Sequence, residues 1–236
     1  MYAHQYEPQE VLHLGLKTLR LDLSVSQVGQ LLTYVTLIQK WNKTYNITAI
    51  QDETNLVVRH LLDCLAIIQP LQRKIQQMLN ACPRAAHPRQ TLRVLDVGSG
   101  AGLPGVVMAI CCPAIHVDCV DTVAKKTAFI QHVACSIGLK NLQAFHTKAQ
   151  SLQGTYQVVC SRALGSLFDF VTWTSHAIDR DGMWMAMKGK PPVEEISCLP
   201  TSQYSCEVEP LHVPELDEER CLVWIRQLSL GSPFGV

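Results

Sequence analysis

The sequence predicts an α/β domain with a mostly parallel, seven-stranded sheet behind a helical appendage, and three observations carry this prediction. Between residues 92 and 187, short and nearly continuous apolar runs alternate with segments of helical spacing, which is typical of parallel strands covered on both faces. The stretch LDVGSGAGLPG, residues 95–105, leads from such a run through glycines into a helix, as in Rossmann-like sheets. Residues 1–90 carry helical patterns and a basic connector. We therefore divide the chain into a helical appendage with its connector, 1–90, and a ligand-binding domain, 91–236.

Three helices are predicted in the appendage. The first lies within Pro8–Leu21 and is loosely amphipathic. The second follows Ser24, whose spacing to Gln27 is that of a capping box. The third follows Asp52, a residue type that is favoured at helix N-caps. The basic, glutamine-rich segment 71–90 is then expected to form a helix and a flexible connection.

The sheet is predicted from five apolar runs and a closing hairpin. The runs are Leu92–Val97, Ile115–Val120, Leu142–Phe145, Tyr156–Ser161 and Met183–Met187. Helices are predicted between them at Leu103–Cys112, Val123–Ile137 and Ser166–Ile178. Two further strand-like runs flank the acidic turn PELDEE, residues 214–219, and this arrangement predicts a C-terminal antiparallel hairpin.

Composition excludes several classes of protein. A hydrophobic content of 47% with 17% charged residues is typical of a soluble globular chain, and no apolar run approaches the roughly 20 residues that cross a bilayer. The ten cysteines are scattered, without C-x-x-C spacing, which favours reduced thiols over a disulfide framework or a metal site. The N-terminal residues lack the pattern of an export signal. We therefore expect a cytoplasmic protein with neither a metal nor a membrane partner.

Three kinds of ligand compete for the glycine turn. A P-loop needs Lys and then Ser or Thr after its last glycine, but two valines follow Gly105, so that alternative is excluded. A dinucleotide fingerprint needs a third glycine where this chain has Leu103. The glycines instead fall at 98, 100, 102 and 105.

Two aspartates narrow the choice further. Asp96 precedes the first glycine by two residues, where its charge would repel a pyrophosphate and attract the ammonium and sulfonium groups of S-adenosylmethionine. Asp121 ends the second strand, where a carboxylate can accept hydrogen bonds from ribose hydroxyls of either a dinucleotide or S-adenosylmethionine. Alternatively, each aspartate only caps a turn or a helix. Together with the glycines they favour a nucleoside cofactor.

Five stretches carry a resemblance to a known family. LDVGSGAGLPG resembles motif I of class I S-adenosylmethionine-dependent methyltransferases. The set WNKTYNIT, VRHLLD, GSGAGLPG, SRALGSL and MKGK, in this order, resembles the GidB/RsmG family, which methylates guanine N7 in 16S ribosomal RNA. The match covers about Ser24 to Gln227. The resemblance implies a Rossmann-like class I methyltransferase fold, S-adenosylmethionine as cofactor, and small-subunit ribosomal RNA or an assembling ribosomal particle as partner.

The resemblance also implies a set of cofactor-site residues. Gly98 and Leu103 would line the cofactor, Ala149 and Gln150 would lie by the adenine, and Arg162 would be a further site residue. The family usually has an acidic residue where this chain has Gln150. The full expected set is Asp96, Gly98, Gly100, Gly102, Leu103, Asp121, Ala149, Gln150 and Arg162. For Arg162, an ion pair with a neighbouring carboxylate is the alternative.

On the substrate side, the resemblance implies contacts by Asn46, Arg59, His60 and Lys188, whose alternatives are a packed helix end and solvated side chains. A basic excess in residues 1–94 offsets an acidic excess in the rest, so a cationic face is only weakly indicated.

Guanine N7 has a free lone pair, so methylation there requires no general base. The chain lacks the N-P-P-Y and Pro-Cys motifs of other nucleic-acid methyltransferases, which agrees with this chemistry. Three alternatives remain: a methyltransferase for a small molecule or protein, a non-catalytic RNA-binding module, and an NAD-linked oxidoreductase.

Overall fold

The helices and strands are those of a computed structural model that describes residues 7–50, 52–81 and 91–228. The helices are α1 (Pro8–Thr18), α2 (Val25–Tyr45), α3 (Glu53–Leu56), a π-helical segment (Val57–Leu62), α4 (Asp63–Leu65), α5 (Ile68–Ala81), α6 (Gly105–Cys111), α7 (Ala124–Ser136), a 3-10 turn (Ala149–Ser151), α8 (Leu167–Thr174) and α9 (Val193–Ser197). The strands are β1 (Leu92–Val97), β2 (Ile115–Asp121), β3 (Leu142–His146), β4 (Tyr156–Arg162), β5 (Ile178–Lys188), β6 (Tyr204–Leu211) and β7 (Arg220–Gln227).

The seven strands form one sheet in the order β3-β2-β1-β4-β5-β7-β6. The first five strands run parallel, and β7 pairs antiparallel with both β5 and β6. The predicted mostly parallel sheet with a C-terminal hairpin is therefore confirmed. The strand order reverses between β1 and β4, and in open α/β sheets ligands bind at the carboxyl ends of the strands beside such a reversal.

Two predicted helix starts are confirmed by their caps. The Gln27 N–H donates to Ser24 Oγ at 3.3 Å, and the Ser24 N–H donates to Gln27 Oε1 at 3.0 Å. The Asn55 N–H donates to Asp52 Oδ1 at 2.8 Å and starts α3. The predicted third helix is not α-helical throughout, because its middle is the π-helical segment Val57–Leu62.

Three predicted boundaries between residues 91 and 228 are wrong by two residues or more. The helix predicted over 166–178 ends at Thr174, because Ile178 begins β5 and pairs with Tyr156 of β4. The polar stretch 179–182 resembles a turn in the sequence, but it continues this longer strand. Helix α6 begins at Gly105 rather than Leu103, and Leu103 still belongs to the glycine turn, where its N–H bonds to the Ser99 carbonyl.

The appendage shares its core with one face of the sheet. Leu12 and Leu31, from α1 and α2, belong to the same buried cluster as Val94 and Val117, from β1 and β2. A second cluster, which includes Phe170 of α8, covers the other face. The division at residue 90 stays a prediction, and the expected connector falls on residues 82–90, outside the described part of the chain.

Within the described residues, no helix has the length and apolar character needed to span a bilayer. The same residues contain no group of three or more potential metal ligands among histidine, cysteine, aspartate and glutamate.

Candidate functional site

Two cavities meet at Gly98, at the carboxyl ends of β1, β2 and β4. The first, which we call the β2-side cavity, has a volume of about 470 Å³ and is lined by Asp121, Ala149 and Gln150 among others. The second, the arginine cavity, has a volume of about 560 Å³, and its lining includes Arg162. Gly98 lines both cavities, so a ligand that spans the turn can reach from one into the other.

The glycine turn is fixed by its backbone and by the appendage. Gly102 has φ +89°, and a Cβ there would lie 2.5 Å from a methyl carbon of Val106. A Cβ at Gly105 would lie 2.8 Å from Asp96 Oδ2. The buried Tyr34 hydroxyl of α2 donates to the Ala101 carbonyl at 2.7 Å. Neither Gly102 nor Gly105 lines a cavity, so both shape the turn from behind.

Asp121 makes the capping contacts that were one alternative for it, whereas its contact with a ribose stays a prediction. Its Oδ2 accepts the Gly100 N–H at 3.0 Å, and its Oδ1 accepts the Val123 N–H at 2.9 Å. The ammonium of Lys126 lies 3.7 Å from Oδ2. The carboxylate therefore joins the glycine turn to the start of α7, and it also lies in the wall of the β2-side cavity.

Asp96 lies behind the glycine turn rather than in either cavity wall. It is fully buried, and its Oδ2 accepts the Gly105 N–H at 2.8 Å, which caps α6. Its Oδ1 has no hydrogen-bond partner among the described residues. Burial raises the pKa of this carboxyl to about 7, since a low-dielectric surrounding disfavours the charged form. The structure thus shows the capping role directly, and contact with a ligand stays a prediction.

The remaining residues expected on the cofactor side divide between the two cavities. Ala149 and the exposed Gln150 form the 3-10 turn beside the β2-side cavity. Gly100 and Leu103 line the arginine cavity. Arg162 also lies there, at the end of β4.

One buried carboxylate holds two arginines of the arginine cavity. Asp63 is about 5% exposed, and its Oδ2 accepts from Arg162 Nη1 at 3.2 Å while its Oδ1 accepts from Arg220 Nε at 3.1 Å. Arg162 Nη1 also donates to the Arg59 carbonyl at 3.3 Å. The ion pair considered as the alternative for Arg162 is therefore present, and Arg162 lines the cavity as well.

His60 is held neutral in the same wall. Its Nδ1 lies 3.3 Å from Arg162 Nη2 and 3.2 Å from the Arg59 carbonyl oxygen. Its Nε2 forms a hydrogen bond with Thr48 Oγ1 at 2.7 Å. Burial, and then the charge of Arg162, lower the pKa of His60 from 6.5 to about 4. The imidazole therefore contributes hydrogen bonds to this wall rather than positive charge.

Two of the other three substrate-side candidates line the arginine cavity, and one does not. Lys188 lines it, and its ammonium pairs with Glu195 at 2.8 Å. Arg59 also lines it, and pairs with Glu218 at 2.8 Å. Asn46 ends α2 in a left-handed conformation, φ 48°, outside the cavity wall. The lining at this point comes from the next residues along the chain, including Thr48.

Sequence reasoning missed Thr48, Tyr34, Asp63 and Arg220. For Asp63 a signal was present, because this carboxylate interrupts the apolar run LLDCLAII, and a charge on a buried helix face needs partners. For Arg220 no local signal exists, since its partner Asp63 lies 157 residues away in the chain.

Comparison with known proteins identifies the family of this chain. The sequence profile described as "GidB: rRNA small subunit methyltransferase G" matches residues 27–223. The Paracidovorax citrulli protein named ribosomal RNA small subunit methyltransferase G is 52% identical over 215 residues, which cover 91% of this chain and 88% of the relative. The protein of that name from Albidiferax ferrireducens is 49% identical over 224 residues, covering 95% of this chain and 99% of the relative.

A solved structure shares the fold. The magnesium protoporphyrin IX methyltransferase from Synechocystis, solved with bound SAM, superposes with a TM-score of 0.50 over 82% of this chain and 97% of that chain. Its sequence identity of 13% means that this likeness shows the fold alone. The Rossmann-like class I methyltransferase fold is thereby confirmed. From the profile match and the identity to its relatives over almost the whole chain, the protein belongs to the GidB family of small-subunit ribosomal RNA methyltransferases.

Proposed function

We propose that this protein transfers the methyl group of S-adenosylmethionine to N7 of a guanine in small-subunit (16S) ribosomal RNA, in the cytoplasm. The observation that carries the proposal is the meeting of two cavities at Gly98, one with the fixed carboxylate of Asp121 and one with a cationic lining. The first suits a nucleoside and the second suits a nucleic acid. Membership of the GidB family supports the same assignment.

The residues of the β2-side cavity fit the methyl donor. Two backbone N–H groups hold the Asp121 carboxylate in the cavity wall, where it can accept the hydroxyl groups of a ribose. Ala149 and Gln150 offer a small apolar surface and an amide for the adenine. When bound, S-adenosylmethionine supplies an electrophilic methyl group on a sulfonium. The Oδ1 of Asp96 lies behind the same turn without a hydrogen-bond partner among the described residues. The pKa of this carboxyl is raised to about 7, and a cationic ligand at the turn would favour its ionised form and be attracted by it.

The residues of the arginine cavity fit an RNA substrate. Arg59, Arg162, Lys188 and Arg220 line it, with Asp63 as the one carboxylate in the described lining. Both oxygens of Asp63 are already engaged by guanidinium groups. Glu195 and Glu218 pair with Lys188 and Arg59 from outside the lining, so these four cations exceed their three carboxylate partners by one charge. This charge can meet a phosphate, and an unstacked base can lie against the arginine planes.

The chain needs no general base for this reaction, because the N7 lone pair of guanine is free. His60 agrees with this, since both of its ring nitrogens are already engaged, Nδ1 by Arg162 and the Arg59 carbonyl and Nε2 by Thr48. Catalysis then depends on alignment of N7 with the methyl group in a site that excludes water. Such positioning contributes up to roughly 7–11 kcal/mol, whereas unstacking the target base costs a few kcal/mol.

The test uses small-subunit ribosomal RNA from a bacterial strain that lacks the enzyme. Purified protein and labelled S-adenosylmethionine are incubated with the naked RNA and, separately, with small ribosomal subunits, and the RNA is digested to nucleosides. We expect 7-methylguanosine from at least one of the two substrates. A label that enters only extracted metabolites or proteins would support the second methyltransferase hypothesis. Failure to bind S-adenosylmethionine in calorimetry would leave an RNA-binding module or, if NADH binds in the same titration, an NAD-linked oxidoreductase.

A further inference from the structure

Glu218 bridges two arginines at the mouth of the arginine cavity. Its Oε1 lies 2.8 Å from Arg59 Nη2, and its Oε2 lies 2.9 Å from Arg220 Nη2. Both arginines line the cavity, whereas Glu218 lies outside the lining, on the loop between β6 and β7. One carboxylate therefore occupies the gap between two guanidinium groups that face the cavity.

The geometry of this bridge matches that of a phosphodiester. A phosphodiester presents two non-bridging oxygens that can each accept from a different guanidinium, as the two oxygens of Glu218 do. The hydrogen bonds from Arg220 and Arg59 also lower the pKa of Glu218, so this carboxylate is an anion throughout the physiological pH range. The two arginines thus already hold a bound anion, which belongs to the protein itself.

The bridge is exposed and can be displaced. The side chains of Arg59 and Glu218 are 45% and 41% exposed, and exposed ion pairs of this kind contribute little to stability. Arg220 keeps two other contacts without Glu218, since its Nε donates to Asp63 and its Nη1 donates to the Glu219 carbonyl at 2.8 Å. The guanidinium of Arg220 therefore stays in place when Glu218 leaves.

We propose that Arg59 and Arg220 form a binding subsite for one phosphate of the substrate RNA, which Glu218 occupies until the RNA displaces it. This inference rests on the proposed function and deepens it by naming the phosphate contact and its internal competitor. RNA binding exchanges one carboxylate for one phosphate between the same two guanidinium groups. An RNA that delivers no phosphate to this position leaves Glu218 in place and gains no contact with the two guanidinium groups.

The decisive variant is Glu218→Gln, with Asp217→Asn as its matched control. Asp217 is an exposed neighbour in the same loop and contacts neither arginine. Both substitutions remove one negative charge, so they change the general electrostatic attraction for RNA equally. We expect Glu218→Gln to lower the KM for ribosomal RNA about fivefold, because two exposed ion pairs no longer compete, and Asp217→Asn to change it by less than about twofold. The KM for S-adenosylmethionine stays the same in both variants.

A third variant tests the subsite itself. Arg59→Ala is expected to raise the KM for ribosomal RNA about tenfold and to reduce the slope of log affinity against log salt by about one. If Glu218 instead anchors the arginines for the substrate, Glu218→Gln raises the KM, and the proposal is overturned. Equal values for Glu218→Gln and Asp217→Asn also overturn it.

The same variants are also compared by RNA binding alone. In this assay the protein retains labelled ribosomal RNA on filters in the absence of S-adenosylmethionine. A wild-type protein that binds the RNA but transfers no methyl group would contradict the proposed function while leaving the subsite open to this measurement. A wild-type protein that binds no RNA overturns both.

Discussion

The two cavities on either side of Gly98 are built in different ways. The β2-side cavity consists of strand ends, the glycine turn and the 3-10 turn, and its carboxylate, Asp121, is held by neighbouring backbone N–H groups. The wall of the arginine cavity depends on side chains from distant parts of the chain, which Asp63 joins. Backbone geometry therefore fixes the first cavity, whereas one buried carboxylate organises the charges of the second. Single substitutions should separate the two.

The largest effect is expected from Asp63→Ala. Removing this carboxylate leaves the guanidinium groups of Arg162 and Arg220, which are about four-fifths buried, without their common partner. Breaking a buried ion pair from one side costs about 3 kcal/mol of unfolding free energy, which urea denaturation measures. Glu218→Gln, which breaks only exposed pairs, should stay within about 0.5 kcal/mol of the wild type. Equal losses of unfolding free energy in the two variants would contradict the view that Asp63 organises the cavity wall whereas Glu218 can be displaced.

The next effect concerns the β2-side cavity alone. Asp121→Asn keeps the shape of the side chain but replaces a charged acceptor with a neutral amide. We expect the Kd for S-adenosylmethionine to rise about 30-fold, since a hydrogen bond to a charged group contributes about 2 kcal/mol. The affinity for ribosomal RNA, measured by filter retention in the absence of S-adenosylmethionine, should not change. Calorimetry checks the first expectation, with Asp217→Asn as the same chemical change outside the β2-side cavity, and an unaltered Kd would contradict the role given to Asp121.

The next prediction concerns His60 in the wall of the arginine cavity and the dependence of unfolding free energy on pH. Because the pKa of His60 falls from 6.5 to about 4 in the folded protein, the unfolded chain binds a proton between these values that the folded chain does not. The contribution of His60 to unfolding free energy therefore rises with pH from about 4 to about 6.5 and is constant above.

The variant His60→Gln lacks this contribution. The difference in unfolding free energy, wild type minus variant, should therefore rise with pH over the same interval, as measured by urea denaturation at several pH values. Asp96, whose pKa is raised to about 7, contributes the opposite slope, but it does so in both proteins and cancels in the difference. Parallel curves for wild type and variant would show that His60 titrates normally in the folded state.

The smallest effect is expected at Gln150, which is exposed beside the β2-side cavity. A carboxylate is a stronger acceptor than an amide oxygen, so Gln150→Glu should tighten S-adenosylmethionine binding by about threefold. Equilibrium titration with Gln150→Ala as the control measures the effect. Weaker binding of S-adenosylmethionine by Gln150→Glu than by the wild type would contradict this prediction. It would show that the site favours the amide of Gln150 over a carboxylate.

Much of the fold was predictable because its signals are local. The bounds of β1 are those predicted, since the apolar run and the glycines that follow it mark both ends. The caps at Ser24 and Asp52 follow from side chains that bond to the next turn of their own helix. The start of β5 at Ile178 was missed, because it depends on pairing with another strand that the local polar pattern conceals.

The two cavities also differ in how far their residues could be predicted from local sequence. Asp121 was predicted to line a ligand site because its position at the end of a strand determines where its side chain lies. The sequence also predicted Arg162, but its ion pair joins residues 99 positions apart, and nothing local identifies Asp63 as the partner. The capping contact of Asp96 was one of the predicted alternatives, and only the packing of α6 on β1 shows that it is made.

A crystal structure with S-adenosylhomocysteine, the demethylated donor, tests the central claim most directly. We predict that its ribose hydroxyls bond to Asp121 in the β2-side cavity and that its sulfur lies at Gly98, facing the arginine cavity. A nucleoside bound in the arginine cavity, or a sulfur that faces away from it, would contradict the assignment of the two cavities to donor and RNA.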